Sequence, residues 1–284
     1  MTLDKNRWVS DVIKFIGQIT TRTKQHQMNA FAAQIAYFFV LSFFPLVIFL
    51  LSMISSLNLD YEMAIGLLES VLPDNIRDVL PEVISSTLST KGVSVLSISG
   101  IAMLYSSSRA VGALQRAINT SYEVQETRHF IKVKLMGMLY TFLFTLIIVL
   151  SLMIPDLIIQ AVTMTAQWLS LTVDNQYLIW IQYLRNLLLI TTFVVVIVTI
   201  YAFLPNKKMH LRNIVPGAIF AILGSLLTNY IFSKLVVAMT DYSILYGSLS
   251  AIIAFMIWVY SLSVILILGA EFNAMRSSIK SDNR

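Results

Sequence analysis

The side chains able to do chemistry in this sequence are few, and most are cationic. There is no cysteine, which removes thiol nucleophiles, thiolate metal sites and disulfides. The three histidines, His26, His129 and His210, are far apart and form neither an H-x-H nor an H-E-x-x-H spacing, so no metal site is expected. No catalytic constellation stands out, and the sequence predicts neither an enzyme nor a cofactor. What remains is a set of basic residues in or beside apolar stretches, where a charge costs at least about 2.5 kcal/mol. Arg109 interrupts one such stretch, and Arg116 follows seven residues later on the same helical face. Ser106, Gln115 and Asn119 add neutral hydrogen-bonding groups, giving this helix a polar stripe that predicts an inward-facing surface. Arg185 and Lys234 fall at the outer edges of two other stretches. Glu271 stands just past the last apolar run, on the same side as Arg109 and Arg116, and is the expected partner of one of them. Cations held near lipid without carboxylates suit a phosphate, which a guanidinium recognises through paired hydrogen bonds.

The elements that must position these residues are apolar helices. Of the 284 residues 57% are hydrophobic and only 12% charged, against about a quarter charged in a soluble domain. Such a chain cannot hide its apolar surface from water, so it is read as an integral membrane protein and not as a soluble enzyme or a nucleic-acid-binding domain. A bilayer core of about 30 Å needs roughly 20 apolar residues per helix. Six stretches are long enough: Phe31–Ile54, Val93–Leu114, Leu135–Ile154, Leu187–Leu204, Ile214–Ala238 and Tyr246–Ala270. The second is the weakest, being broken by Ser106, Ser107, Ser108 and Arg109. A barrel would show alternating segments of about ten residues instead. The expected fold is therefore all-α, a single polytopic membrane domain over 1–284 with six transmembrane helices.

Loop charges set the expected orientation. Basic residues gather before the first stretch (Lys5, Arg7, Lys14, Arg22, Lys24), in 115–134 (Arg116, Arg128, Lys132, Lys134), in 205–213 (Lys207, Lys208, Arg212) and in the tail (Arg276, Lys280, Arg284). The other side holds only Arg77 and Lys91. By the positive-inside rule both termini are cytoplasmic. Residues 1–27 carry Trp8, Val12, Phe15, Ile16 and Ile19 at helical spacing, the pattern of a basic amphipathic helix on an anionic leaflet. Segment 55–92 is acidic and predicts an amphipathic extracytoplasmic helix interrupted at Pro81. Pro45 and Pro216 lie inside stretches and are candidate hinges. Gly217, Ala221 and Ser225 recur every four residues, a stripe that permits close helix contact. The first apolar run, beginning after about thirty residues, reads as an uncleaved signal-anchor, and no lipidation motif is apparent.

The run SSSRAVGALQRAINTSYEV (Ser106–Val124), with Glu126 and Arg128 after it, resembles a signature of the YihY/BrkB family of bacterial membrane proteins. So do AYFFVLSFFP (Ala36–Pro45) and, most specifically, YGSLSAIIAFMIWVYSLSVILILGAEFNA (Tyr246–Ala274). The resemblance covers nearly the whole chain and implies a six-helix protein of the bacterial plasma (inner) membrane. The family has been linked to envelope lipid handling and once carried a ribonuclease label, which the scattered histidines do not support.

The leading expectation is a protein that binds or translocates an anionic amphiphile, a phospholipid or a polyprenyl-linked lipid. Arg109 and Arg116 would hold the phosphate, helped by Ser106, Gln115 and Asn119, with Arg185 and Lys234 acting nearer the outer face. The alternatives are a scaffold that docks an envelope-assembly partner through the acidic segment, and a small-solute channel or exporter; a homo-oligomer is a further expected assembly. Membrane lipids, and no nucleic acid, are the expected partners.

Overall fold

The computed structural model describes residues 17–56, 93–168, 175–207, 209–238 and 248–282. Expectations placed on 1–16, on most of the acidic segment 55–92 and on 239–247 lie outside these residues. Helix α1 spans 17–25. The long helices are α2 (Met28–Ser56), α3 (Val93–Ser121), α4 (Phe130–Trp168), α5 (Asn175–Phe203), α6 (Leu211–Ala238) and α7 (Ser248–Asp282). Among the described residues there is no β-strand.

Consecutive long helices run antiparallel. Gln34 of α2 meets Arg116 of α3 at one end, and Phe49 lies beside Gly100 toward the other. The α4 backbone packs on α3 where Gly137 faces Ser108. Tyr140 of α4 donates to the Phe203 carbonyl at the end of α5. Each long helix packs on its successor and α7 returns to α2, closing a ring in which α7 also touches α3. The most extensive interface is that between α2 and α3.

Among the described residues, five helices contain stretches long and apolar enough to cross a membrane: Met28–Phe49, Phe130–Ile147, Asn186–Phe203, Leu211–Leu235 and Ile252–Ser277. The expected count was six. Helix α3 does not qualify, because Ser106 to Arg109, Gln115, Arg116 and Asn119 dilute its apolar content, although at 29 residues it is as long as α2. It is covered by α2, α4 and α7 along much of its length, so fewer of its positions have to be apolar.

Small residues decide how closely α6 and α7 approach. Gly217, Ala221 and Ser225 are buried, and any Cβ on Gly217 would collide with the Gly269 carbonyl and the Asn273 amide of α7. A Cβ on Gly269 would strike Tyr201 of α5 and the Gly217 carbonyl. Gly217 of the stripe read from the sequence is thus at the α6–α7 contact. Around Pro216, which lacks an amide hydrogen, the Asn273 side chain accepts from Gly217 N at 2.7 Å and donates to the Ile214 carbonyl at 3.0 Å. One side chain thus bonds the backbone on both sides of the proline that the sequence offered as a hinge. Pro45 is half-buried within α2, which continues through it.

Replacing Gly217 or Gly269 by valine should separate α6 from α7 and cost about 1–3 kcal/mol or more, as overpacking does. Thermal unfolding in detergent, with Ala202→Val on half-buried α5 as the comparison, should show a clear loss of midpoint for the two glycine variants only.

Candidate functional site

Helices α2, α4 and α6 begin, and α3, α5 and α7 finish, at one end of the ring. Three polar assemblies occur in this half of the bundle. The first surrounds Glu271, which has no solvent exposure and sits inside the apolar stretch of α7. The sequence placed it beyond the membrane as the partner of Arg109 or Arg116. Its partners are instead Arg22 and His26 at the end of α1: Arg22 Nε donates to Oε2 at 2.8 Å, and His26 Nδ1 lies 2.5 Å from Oε1. Arg22 also donates to the Ser121 carbonyl at 2.9 Å and pairs with Glu123 at 2.8 Å. It therefore caps the last turn of α3, whose final carbonyls lack helical partners, while neutralising α7. Two turns deliver these groups. Gln27 (φ 50°) turns the chain between α1 and α2, and Glu123 (φ 54°) follows the end of α3. Both are in the left-handed region that costs a non-glycine residue about 1 kcal/mol, and both adjoin the same ion pairs.

The second assembly clasps the 122–129 loop to the end of α5. Glu126 accepts from Gln115 Nε2 at 2.7 Å and Asn119 Nδ2 at 3.0 Å on α3, and from Arg128 through its backbone amide and guanidinium at 2.7–3.0 Å. Arg128 continues to the Leu204 carbonyl at 3.1 Å, and Asn206 N donates to Asn119 Oδ1 at 2.8 Å. The hydrogen bonds from Arg128, then that from Gln115, hold the Glu126 carboxyl down to about 2, against the opposing effect of burial.

The third assembly lies on the outer surface of α3. Arg109 is exposed; its guanidinium donates to Tyr105 OH at 2.8 Å and sits 5.1 Å from that ring and 5.5 Å from the Phe38 ring of α2. Lys134 of α4 places its Nζ 4.6 Å from the Tyr105 ring centroid. Arg116 is exposed further along and reaches Gln34 Oε1 at 3.2 Å. Among the described residues, no carboxylate lies within ion-pair distance of Arg109, Arg116 or Lys134. Ile98 and Ile101 extend this exposed strip toward the start of α3, with α2 on one side and α4 on the other.

The residues expected to form one binding stripe are thus divided. Arg109 and Arg116 share the outer face, and Ser106 is half-buried near it. Gln115 and Asn119 point inward and are engaged by Glu126. Helix α3 presents its guanidinium groups outward and its amides inward, which corrects the expectation of a wholly inward polar face. Lys234 is exposed near the far end of α6, with Nζ 6.0 Å from the Tyr230 ring. Arg185 lies in α5, and its side chain is outside the described set. Lys134, Tyr105 and Phe38 were not anticipated, although Tyr105 stands four residues before Arg109, the spacing of side chains in contact on a helix.

Closed-ring topology and largely apolar helices define a polytopic all-helical membrane protein. The chain belongs to the BrkB family: the family model described as Virulence factor BrkB matches residues 19–284. It is 31% identical over 263 residues to the ribonuclease-like protein YfkH of Bacillus subtilis (strain 168), covering 93% of this chain and 95% of that protein. It is 24% identical over 267 residues to a UPF0761 membrane protein of Vibrio atlanticus (strain LGP32), covering 92% and 82%. A similar match, 24% over 265 residues with the same coverages, is found with the UPF0761 membrane protein VV0203 of Vibrio vulnificus (strain YJ016). No solved structure matches the chain.

Two outcomes follow from the buried and looped carboxylates. Arg22→Ala should destabilise the protein by about 3–5 kcal/mol, because it strips a buried carboxylate of its guanidinium; Lys24→Ala, exposed on the same helix, should be nearly neutral in the same detergent melt. Glu126 has a lowered value in the folded protein, so its stabilising effect is present above the ordinary 4.5 and is lost as pH falls toward about 2. The difference in melting point between wild type and Glu126→Gln should therefore shrink across that window.

Proposed function

We propose that this membrane protein binds or translocates an anionic amphiphile, a phospholipid or polyprenyl-linked lipid, along the outer face of α3. The observation that carries this reading is the unneutralised guanidinium of Arg109 on the bundle surface. Its contacts are a phenol and two aromatic faces, and among the described residues no acid balances it. Elsewhere in the bundle Arg22 and Arg128 are matched by glutamates, whereas Arg109, Arg116 and Lys134 lie close together on or beside α3 with none among the described residues. A lipid phosphate would supply the missing charge through charge-assisted hydrogen bonds, while its chains would lie along the apolar strip of Ile98 and Ile101.

In this reading α3 is the sixth crossing. Its antiparallel place between α2 and α4 supports that role, and its polarity is tolerable because three helices cover it. The excess of basic residues at the end where α3 finishes supports cytoplasmic termini in a bacterial plasma membrane. The activity is carriage or binding and not covalent chemistry; Glu271, Glu126 and His26 are committed to holding helices together.

Purified wild-type protein should retain anionic lipid in native mass spectrometry, and Arg109→Ala should retain about tenfold less while keeping its melting point. Equal retention by the variant would overturn the reading.

A further inference from the structure

The number of charges around Tyr105 bears on which phosphate the surface would take. Arg109 and Lys134 come from different helices, α3 and α4, yet both converge on this one side chain. The guanidinium is at its hydroxyl end, through the 2.8 Å hydrogen bond, and the ammonium is 4.6 Å from the centre of its ring. Phe38 closes the α2 side of the guanidinium at 5.5 Å. Among the described residues neither cation has a carboxylate within ion-pair distance. A tyrosine ring attracts a cation by its quadrupole but carries no net charge. The two positive charges therefore remain uncompensated on the surface of the bundle. A phosphodiester headgroup brings one negative charge, whereas a phosphomonoester brings about 1.5 to 2 at neutral pH together with three acceptor oxygens. An ammonium offers three donors with free rotation and a guanidinium a planar fork, so a terminal phosphate can be gripped by both at once.

We infer that the Arg109–Tyr105–Lys134 cluster selects lipids ending in a phosphomonoester, with Lys134 as the residue that distinguishes them from phosphodiester lipids. This rests on the anionic-amphiphile reading above and specifies its substrate class. Arg109 supplies affinity for any phosphate; Lys134 matches the additional charge of a terminal one. Tyr105 keeps the cations in place without neutralising them, a task an acidic residue could not perform.

The test compares phosphatidate with phosphatidylglycerol of identical acyl chains, offered in equimolar mixed micelles to the full chain and read by native mass spectrometry. Wild type should retain phosphatidate about fivefold over phosphatidylglycerol. Lys134→Gln should bring that ratio close to one, phosphatidate retention falling several-fold more than phosphatidylglycerol retention, and Lys134→Arg should preserve the preference. Equal retention of the two lipids by wild type would overturn the selectivity and leave the anionic-lipid reading intact; retention of neither would overturn both. Loss of both lipids in Lys134→Gln would make Lys134 a general anion contact and refute its discriminating role. Displacement of bound phosphatidate by millimolar inorganic phosphate would assign the cluster to the free ion and refute a lipid ligand.

Discussion

A carboxylate inside an apolar helix is the constraint around which this bundle is arranged. Removing Glu271 from water costs several kcal/mol unless its charge is matched and its oxygens are hydrogen-bonded. The match comes from Arg22 and His26, just before the turn at Gln27, which meet the two oxygens. Because the same guanidinium caps α3 through Ser121 and reaches Glu123, neutralising α7 also fixes where α3 ends. That position sets where the 122–129 loop begins, and so where Glu126 can meet Gln115, Asn119 and Arg128. The clasp onto α5 is thus downstream of the Glu271 ion pairs. Its hydrogen bonds join the loop to α3, and Arg128 and Asn119 carry the network on to the end of α5, which a simple surface ion pair would not do.

The contrast between the two kinds of arginine is informative. Arg22 and Arg128 are surrounded by acceptors and serve the fold. Arg109 and Arg116 project from α3 with a phenol, aromatic rings and an amide for company. Had these cations been needed only to set orientation, the exposed positions of the loops would have served without burdening a helix that already lacks apolar surface.

Much of the architecture could be read from apolar runs alone, since lipid forces backbone polar groups into helices. The Gly217, Ala221 and Ser225 spacing likewise pointed to a close contact, which at Gly217 proves to be with α7. The partner of Glu271 was hidden because Arg22 lies 249 residues away in sequence, and no periodicity carries information over that span. The division of α3 was within reach of arithmetic. At 100° per residue, Arg109 and Arg116 coincide to within about 20°, whereas Gln115 stands about 120° from Arg109; reading all polar residues as one stripe ignored that angle. Lys134 was counted toward orientation because it adjoins a loop, and only packing brings it to Tyr105.

The dilute apolar content of α3 also bears on how the chain enters a bilayer during synthesis. A segment carrying two arginines, a glutamine and an asparagine gains little from lipid by itself. Its largest interface is with α2, an apolar helix made before it. On the proposed reading of α3 as a crossing, its integration would be a joint event in which α2 and α3 enter the bilayer together. The order of helices along the chain, apolar first and polar second, suits such a delivery, and it makes α2 as much an insertion partner as a wall of the mature bundle.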